Sequence, residues 1–222
     1  MNSFNIIITG GGTGGHLFPA IAIGEEIKNQ MPDANIHYIG SVYGLESKVF
    51  PIKDLVHTLL PIKGLQRGLN IKGLLKNLIL PFRIISSIIK VRSLYKDFKP
   101  RLIIGTGGYA SAIPLFVASK INPKVPIILQ EQNSYPGLTT RFFANKAKKI
   151  CVAFDYDNIK LKQKIEITGN PIRNNIKSAN KNKAFKDLQL NKNKNTLFVF
   201  GGSQGSSFLN KSIESIIKSL NN

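Results

Sequence analysis

The chain has 222 residues, room for one ordinary domain or two small ones, and its 42% hydrophobic content excludes wholesale disorder. Thirty-one basic residues against 12 acidic ones give a formal net charge of +19. That balance points either to an anionic partner (nucleic acid, an anionic membrane, a phosphorylated substrate) or to drift in a Lys-, Asn- and Ile-rich composition. The single cysteine, Cys151, excludes an internal disulfide or a cysteine metal cluster; within KICVAF it reads as a buried small hydrophobe in a reducing compartment.

Taken in chain order, short apolar runs alternate with helical ones. FNIIITG (4–10) reads as a strand and opens into seven residues, Gly-Gly-Gly-Thr-Gly-Gly-His (10–16), with a helix following Gly15 and Pro19 near its start. Met1 to Gly24 holds no Lys or Arg and has six glycines, so no secretory signal is expected there. Strands follow at NIHYIGS (35–41) and LVHTLLPI (55–62), with helices after Gly44 and Asn70. RLIIGTG (101–107) is the next strand, and a second glycine loop, Gly105-Thr106-Gly107-Gly108-Tyr109, leads into a helix after Tyr109. The uncharged run Leu102–Ser119 is about as long as a minimal membrane span, but GTGG and Pro114 divide it into strand, loop and helix. PIILQE (126–131), a helix after Pro136, KICVAF (149–154) and KIEITG (164–169) complete the series. Near-continuous apolar strands separated by helices imply a parallel sheet covered on both faces, a doubly wound α/β domain over residues 1–160.

An Asn- and Lys-rich connection is expected over residues 161–195. A second domain begins at 196–222 with a strand, TLFVFGG (196–202), the glycine junction Gly201-Gly202-Ser203-Gln204-Gly205, and a helix. Leu209, Ile213, Ile216, Ile217 and Leu220 lie at helical spacing on that helix. One strand and one helix cannot bury their apolar faces alone. A second polypeptide, docking on the first domain and gene erosion all answer that need.

The strand–glycine–helix junctions carry the chemistry. Glycine lets the backbone approach a ligand closely, and a helix N-terminus offers N–H groups and a positive dipole end to a phosphate. The alternative is that the glycines only permit tight packing. Gly10, Gly12 and Gly15 satisfy G-x-G-x-x-G, yet the second strand ends in Ile39-Gly40-Ser41-Val42 without the acid that a dinucleotide's ribose requires. A nucleotide-hydrolase phosphate loop is excluded too, because Gly-Lys-Ser/Thr is absent. His37 and His57 sit in strand-like runs without a motif and read as structural. No acidic metal-binding cluster is evident, and no nucleic-acid-binding module is recognisable.

Five motifs, GGTGGHLFPA (11–20), GTGGYASAIPLFVA (105–118), EQNSYPGLTTRFFA (131–144), TGNPIR (168–173) and GGSQGSSFLN (201–210), occur in the order and approximate spacing of the MurG family of bacterial glycosyltransferases, which this chain resembles over essentially its whole length. The resemblance implies the GT-B fold, two Rossmann-like α/β domains facing a cleft. The N-terminal domain would hold an undecaprenyl-pyrophosphoryl MurNAc-pentapeptide, and the C-terminal domain UDP-GlcNAc. It implies that Thr13, Gly14 and Gly15 contact donor or pyrophosphate, that His16 is the general base, and that Gly107, Gly108 and Tyr109 form a second acceptor loop. Glu131 and Asn133 would point into the cleft, Glu131 as a catalytic group or else as a structural hydrogen-bond partner, and Asn133 as a sugar contact. Arg173 and Ser203 would touch the UDP-sugar. The implied reaction inverts the anomeric centre without a metal or other cofactor: an acceptor hydroxyl needs a base that works near neutral pH, and the departing diphosphate needs cations or N–H donors. Two departures stand out. Gln130 occupies a position usually held by His, and the residues that would hold the donor's ribose and uracil lie beyond Asn222, so a separate C-terminal half is expected to complete the enzyme.

Between Lys63 and Lys99, Lys63, Arg67, Lys72, Lys76, Arg83, Lys90, Arg92, Lys96 and Lys99 face one acid, Asp97, and interleave with Leu74, Leu75, Leu78, Ile79, Leu80, Phe82, Ile84, Ile85, Ile88 and Ile89. Lys76, Arg83 and Pro81 prevent this run from spanning a bilayer. It suits either a segment lying on an anionic membrane surface or an amphipathic helix packed on its own sheet.

Overall fold

The structure, a computed structural model, describes residues 4–64, 79–122, 124–155, 164–173, 176, 180–201 and 205–220. The chain divides into two compact units, Met1–Asn174 and Asn175–Asn222.

In the first unit β1 (Asn5–Thr9), α1 (Gly14–Gln30), β2 (Asn35–Ser41), α2 (Glu46–Ile52) and β3 (His57–Leu60) are followed by α3 (Leu80–Phe98) and β4 (Leu102–Gly105). A 3₁₀ turn (Tyr109–Ser111) then runs into α4 (Ala112–Phe116) and a π turn (Val117–Ile121). After these come β5 (Ile127–Glu131), α5 (Leu138–Phe143), β6 (Lys149–Val152) and β7 (Ile165–Ile167). The seven strands form one sheet in the order β3-β2-β1-β4-β5-β6-β7, and every pairing is parallel. This is the expected Rossmann-like α/β domain. β7 lies within the stretch 161–195 that reads as a connection; its pairing with β6 (Ile150 with Ile165) puts it in the first unit. The helix expected after Asn70 falls partly outside the described residues, and α3 starts at Leu80 with Pro81 in its first turn, where a missing N–H costs nothing. It ends at Lys99 in a left-handed conformation (φ 49°), followed by Pro100.

The isoleucine-rich strands explain the layering. Successive side chains leave a strand on opposite faces, so Ile7 joins one core with Ile39, Val91, Ile103, Leu115, Leu129 and Ile150. Ile6 and Ile8 join another with Leu17, Ile21, Tyr38, Phe50 and Ile104. Each such side chain contributes about 1.5–3 kcal/mol by leaving water.

The second unit holds α6 (Lys181–Asp187), capped by Asn180, whose side chain accepts from the Lys183 amide at 3.1 Å, and α7 (Ser207–Leu220). The amphipathic helix appears as expected. The strand over 196–202 does not: residues 196–201 are in no ladder, and Leu197, Phe198 and Phe200 are exposed. Its β-prone composition finds no neighbouring strand within its own unit among the described residues, and a strand exists only through its ladder.

Candidate functional site

The crossover direction reverses between β1 and β4, neighbours in the middle of the sheet, so the loops leaving their C-terminal ends diverge and open a crevice. Thr9 and Gly105 are register partners at that edge. Gly11–Thr13 and the start of α1 leave β1; Thr106–Tyr109 leaves β4; Gln132–Gly137 leaves the neighbouring β5. Three loops distant in sequence thereby meet.

His16, in the first turn of α1, is where they meet. Its Nδ1 lies 3.0 Å from the Thr106 carbonyl oxygen and 2.9 Å from Oε1 of Gln132. The Thr106 hydroxyl donates to the His16 carbonyl at 2.7 Å, so residue 106 holds both the backbone and the ring of His16. Gly107 (φ +96°) and Gly108 (φ +77°) make that approach feasible. A Cβ at Gly107 would sit 2.9 Å from the His16 Nδ1, and one at Gly108 only 2.1 Å from the Gly11 carbonyl oxygen. Thr139 of α5 donates to the Gly108 carbonyl at 3.0 Å, tying the third loop to the second. The two glycine loops are therefore packed on each other, and packing accounts for Gly108 without any ligand.

Thr13 and Gly15 are exposed at the start of α1. The Thr13 side chain makes no capping hydrogen bond, and the first turn contains no acid. That end of the helix presents backbone donors and a positive dipole end to the crevice. Behind the loop lies a residue without a role in the sequence reading. Glu46, fully buried at the start of α2, accepts from the Gly12 amide with both oxygens (3.1 and 3.0 Å) and from the Ser41 amide at 2.9 Å. A Cβ at Gly11, Gly40 or Gly44 would stand within 2.4 Å of this side chain. The Gly12 amide is thus committed to an internal carboxylate. Tyr109 is half-buried against Gly12. Burial chiefly raises its phenol pKa, opposed by a hydrogen bond with Ser41 and helped by the Glu46 charge.

Glu131, expected as a catalytic carboxylate or a structural hydrogen-bond partner, is 2% exposed. One oxygen accepts from the amide (3.1 Å) and side chain (2.8 Å) of Asn133, the other from the Gly137 amide (2.9 Å) and the Thr140 hydroxyl. Four donors around a buried carboxylate describe a loop anchor. Asn133 is exposed at the loop. Arg173 is half-buried, its guanidinium 4.2 Å from the centre of the Phe18 ring on α1, which brings it beside the first loop. Ser203 lies outside the described residues. Sequence reasoning missed Thr106, Gln132 and Glu46. The first two stand inside the motifs above, while Glu46 had as its signal only an acid preceded by glycines at 40 and 44.

A second feature borders this end of the unit. Ile84 and Ile88 of α3, Ala112, Ile113 and Phe116 of α4, and Phe142 of α5 line an apolar pocket of about 400 Å³. Phe142 of this lining is exposed, as are Phe82, Ile85 and Ile89 of α3, and Lys63 and Arg83 flank the exposed Tyr43 ring at 5.7 and 5.2 Å. Among the described residues no helix is long and apolar enough to cross a membrane. Residues 65–78 of the basic-apolar run lie outside the described residues.

The family model for the glycosyltransferase family 28 N-terminal domain matches residues 6–152. Curated proteins named UDP-N-acetylglucosamine--N-acetylmuramyl-(pentapeptide) pyrophosphoryl-undecaprenol N-acetylglucosamine transferase are similar. That of Flavobacterium psychrophilum is 39% identical over 96% of this chain and 57% of its own length. That of Phocaeicola vulgatus is 40% identical over 95% and 55%, and that of Bacillus pumilus 37% over 94% and 56%. The chain thus spans a little over half the length of these relatives. In fold it is similar to the crystal structure of Acinetobacter baumannii MurG (TM-score 0.59, 21% identity, 77% of this chain and 46% of that one). A glycosyltransferase from Rickettsia africae is similar as well (TM-score 0.57, 12% identity, 87% and 51%).

Proposed function

Since the chain belongs to the family of glycosyltransferase family 28 N-terminal domains, we propose that it is the acceptor-side half of an inverting transferase that moves GlcNAc from UDP-GlcNAc to undecaprenyl-pyrophosphoryl-MurNAc-pentapeptide in peptidoglycan synthesis. The observation that carries this reading is the convergence of three loops on His16 at the sheet's switch point. Thr13, Gly14 and Gly15, at the dipole end of α1, and Gly107, Gly108 and Tyr109 on the facing loop would hold the pyrophosphate. The acceptor hydroxyl's proton passes to His16 as its oxygen bonds the anomeric carbon, and UDP departs with the electron pair of the broken C–O bond. Asn133 contacts sugar, while Arg173 and Ser203 meet the donor, whose remaining contacts come from a second Rossmann-like domain. Glu131 serves by holding the 132–137 loop.

The apolar pocket, the exposed Phe82, Ile85 and Ile89 of α3 and the cations Lys63 and Arg83 at Tyr43 support peripheral attachment to the anionic cytoplasmic face of the membrane, where a lipid-linked acceptor resides. Nucleic acid has no place in this reading. The test is transfer of radiolabelled GlcNAc to a lipid-pyrophosphate acceptor by the chain supplied with a relative's C-terminal half. Transfer is expected, and His16→Ala should lower it by about 10²–10⁴-fold with the fold intact. Acceptor binding without transfer would reduce the chain to a membrane-associated capture module. The absence of both binding and transfer would refute the proposal.

A further inference from the structure

We propose that Gln132 is a positioning residue for His16: together with the Thr106 carbonyl it holds the imidazole as the Nδ1–H tautomer and turns an unprotonated Nε2 toward the crevice. The inference rests on His16 as the proton acceptor of the reading above, but its geometry stands independently. A carbonyl oxygen only accepts, so the 3.0 Å contact between Nδ1 and the Thr106 oxygen requires the proton on Nδ1.

Gln132 has its own orientation set from the other side. Its Nε2 donates to the Thr106 oxygen at 2.8 Å, to the Gln130 carbonyl at 3.3 Å and to the Gln130 side-chain oxygen. With the two NH₂ hydrogens shared among these three acceptors, Oε1 is left facing Nδ1 at 2.9 Å as a second acceptor for the same hydrogen. The Thr106 oxygen thus receives one hydrogen from His16 and one from Gln132. The three groups close a triangle that requires the hydrogen on Nδ1, so in the neutral ring Nε2 is left bare.

Gln130 gives the triangle its outer support. It is 3% exposed, its Oε1 takes the Gln132 amide, and its own Nε2 has no partner among the described residues. When Nε2 of His16 takes a proton, Nδ1 keeps its hydrogen between the same two acceptors, so proton uptake requires no ring flip and no rearrangement of the loop. A glutamine supplies this acceptor without adding a negative charge beside an incoming diphosphate.

The experiment is long-range ¹H–¹⁵N NMR of the ¹⁵N-labelled 222-residue chain at about pH 8, where an ordinary histidine is neutral. His16→Gln identifies the His16 signals among the three histidines. The wild-type chain is expected to show a protonated Nδ1 and a bare Nε2 at His16. Gln132→Leu should move the tautomer ratio toward Nε2–H by roughly three- to tenfold, the effect of losing one neutral hydrogen bond, while leaving His57 unchanged. Gln132→Met serves if the branched side chain disturbs folding. Nε2–H in the wild-type chain, or an unaltered ratio in a folded Gln132 variant, overturns the proposal. A tautomer result as expected alongside undiminished transfer by His16→Ala would instead discard His16 as the base and leave the positioning network standing.

Discussion

Removing the Glu46 carboxylate tests whether the first glycine loop is held from within. The side chain is fully buried and takes the Gly12 and Ser41 amides. A hydrogen bond to a charged acceptor contributes about 1.5–3 kcal/mol. Glu46→Ala loses two such interactions, strands buried N–H groups and opens a space walled by Gly11, Gly40 and Gly44, none of which has a side chain to fill it. The expected loss is about 3–5 kcal/mol. Glu46→Gln keeps one accepting oxygen but sets an NH₂ against the Gly12 amide, and should cost about 1.5–3 kcal/mol. Urea unfolding reads both. With a slope of about 2 kcal/mol/M, the alanine variant's midpoint falls by roughly 1.5–2.5 M. Glu25 is a fitting control: its 2.9 Å pair with Lys53 is about one-third exposed, and Glu25→Gln should cost under about 1 kcal/mol. A Glu46→Gln variant within about 0.5 kcal/mol of the parent would refute the idea that the charge holds the loop.

The other predictions concern backbone, pH and thiol chemistry. Gly108→Ala should cost more than about 3 kcal/mol, because its φ is +77° and the new Cβ would meet the Gly11 carbonyl. Gly169→Ala, at φ +75° but with nothing within 4 Å, should cost only about 1 kcal/mol; thermal unfolding separates the two. His37 has its pKa lowered below 6.5, first by burial and then by the His57 charge. The unfolded chain therefore protonates first as pH falls, so this contribution to stability is complete above pH 6.5 and lost as pH drops through the depressed folded value. Urea midpoints measured downward from neutral pH should show a decline that His37→Phe reduces. Burial, then the Glu166 charge, raises the Cys151 thiol pKa. Disulfide-exchange labelling of the native chain should run at least about tenfold slower than of the urea-unfolded chain at the same pH; equal rates would contradict the burial.

Local sequence determined what depends on local chemistry. Isoleucine-rich runs such as Asn5–Thr9 and Leu102–Gly105 became central strands because residues buried on both faces need no polar alternation. The glycine junctions marked the ends of β1 and β4, and with them the site, since a reversal of crossover direction at a switch point exposes those loops. Tertiary structure decided what those glycines do. Gly108 is required by the Gly11 carbonyl and Gly107 by the His16 ring, contacts that no local pattern reveals. The same holds for the Glu46 amide bonds and for the pairing of His16 with Gln132, a residue 116 positions away. It also decided against a strand at 196–201, where β-prone residues lack the neighbouring backbone a ladder requires. Propensity and spacing belong to one segment, whereas a hydrogen-bond partner, a buried charge and a strand's neighbour exist only once distant segments have met.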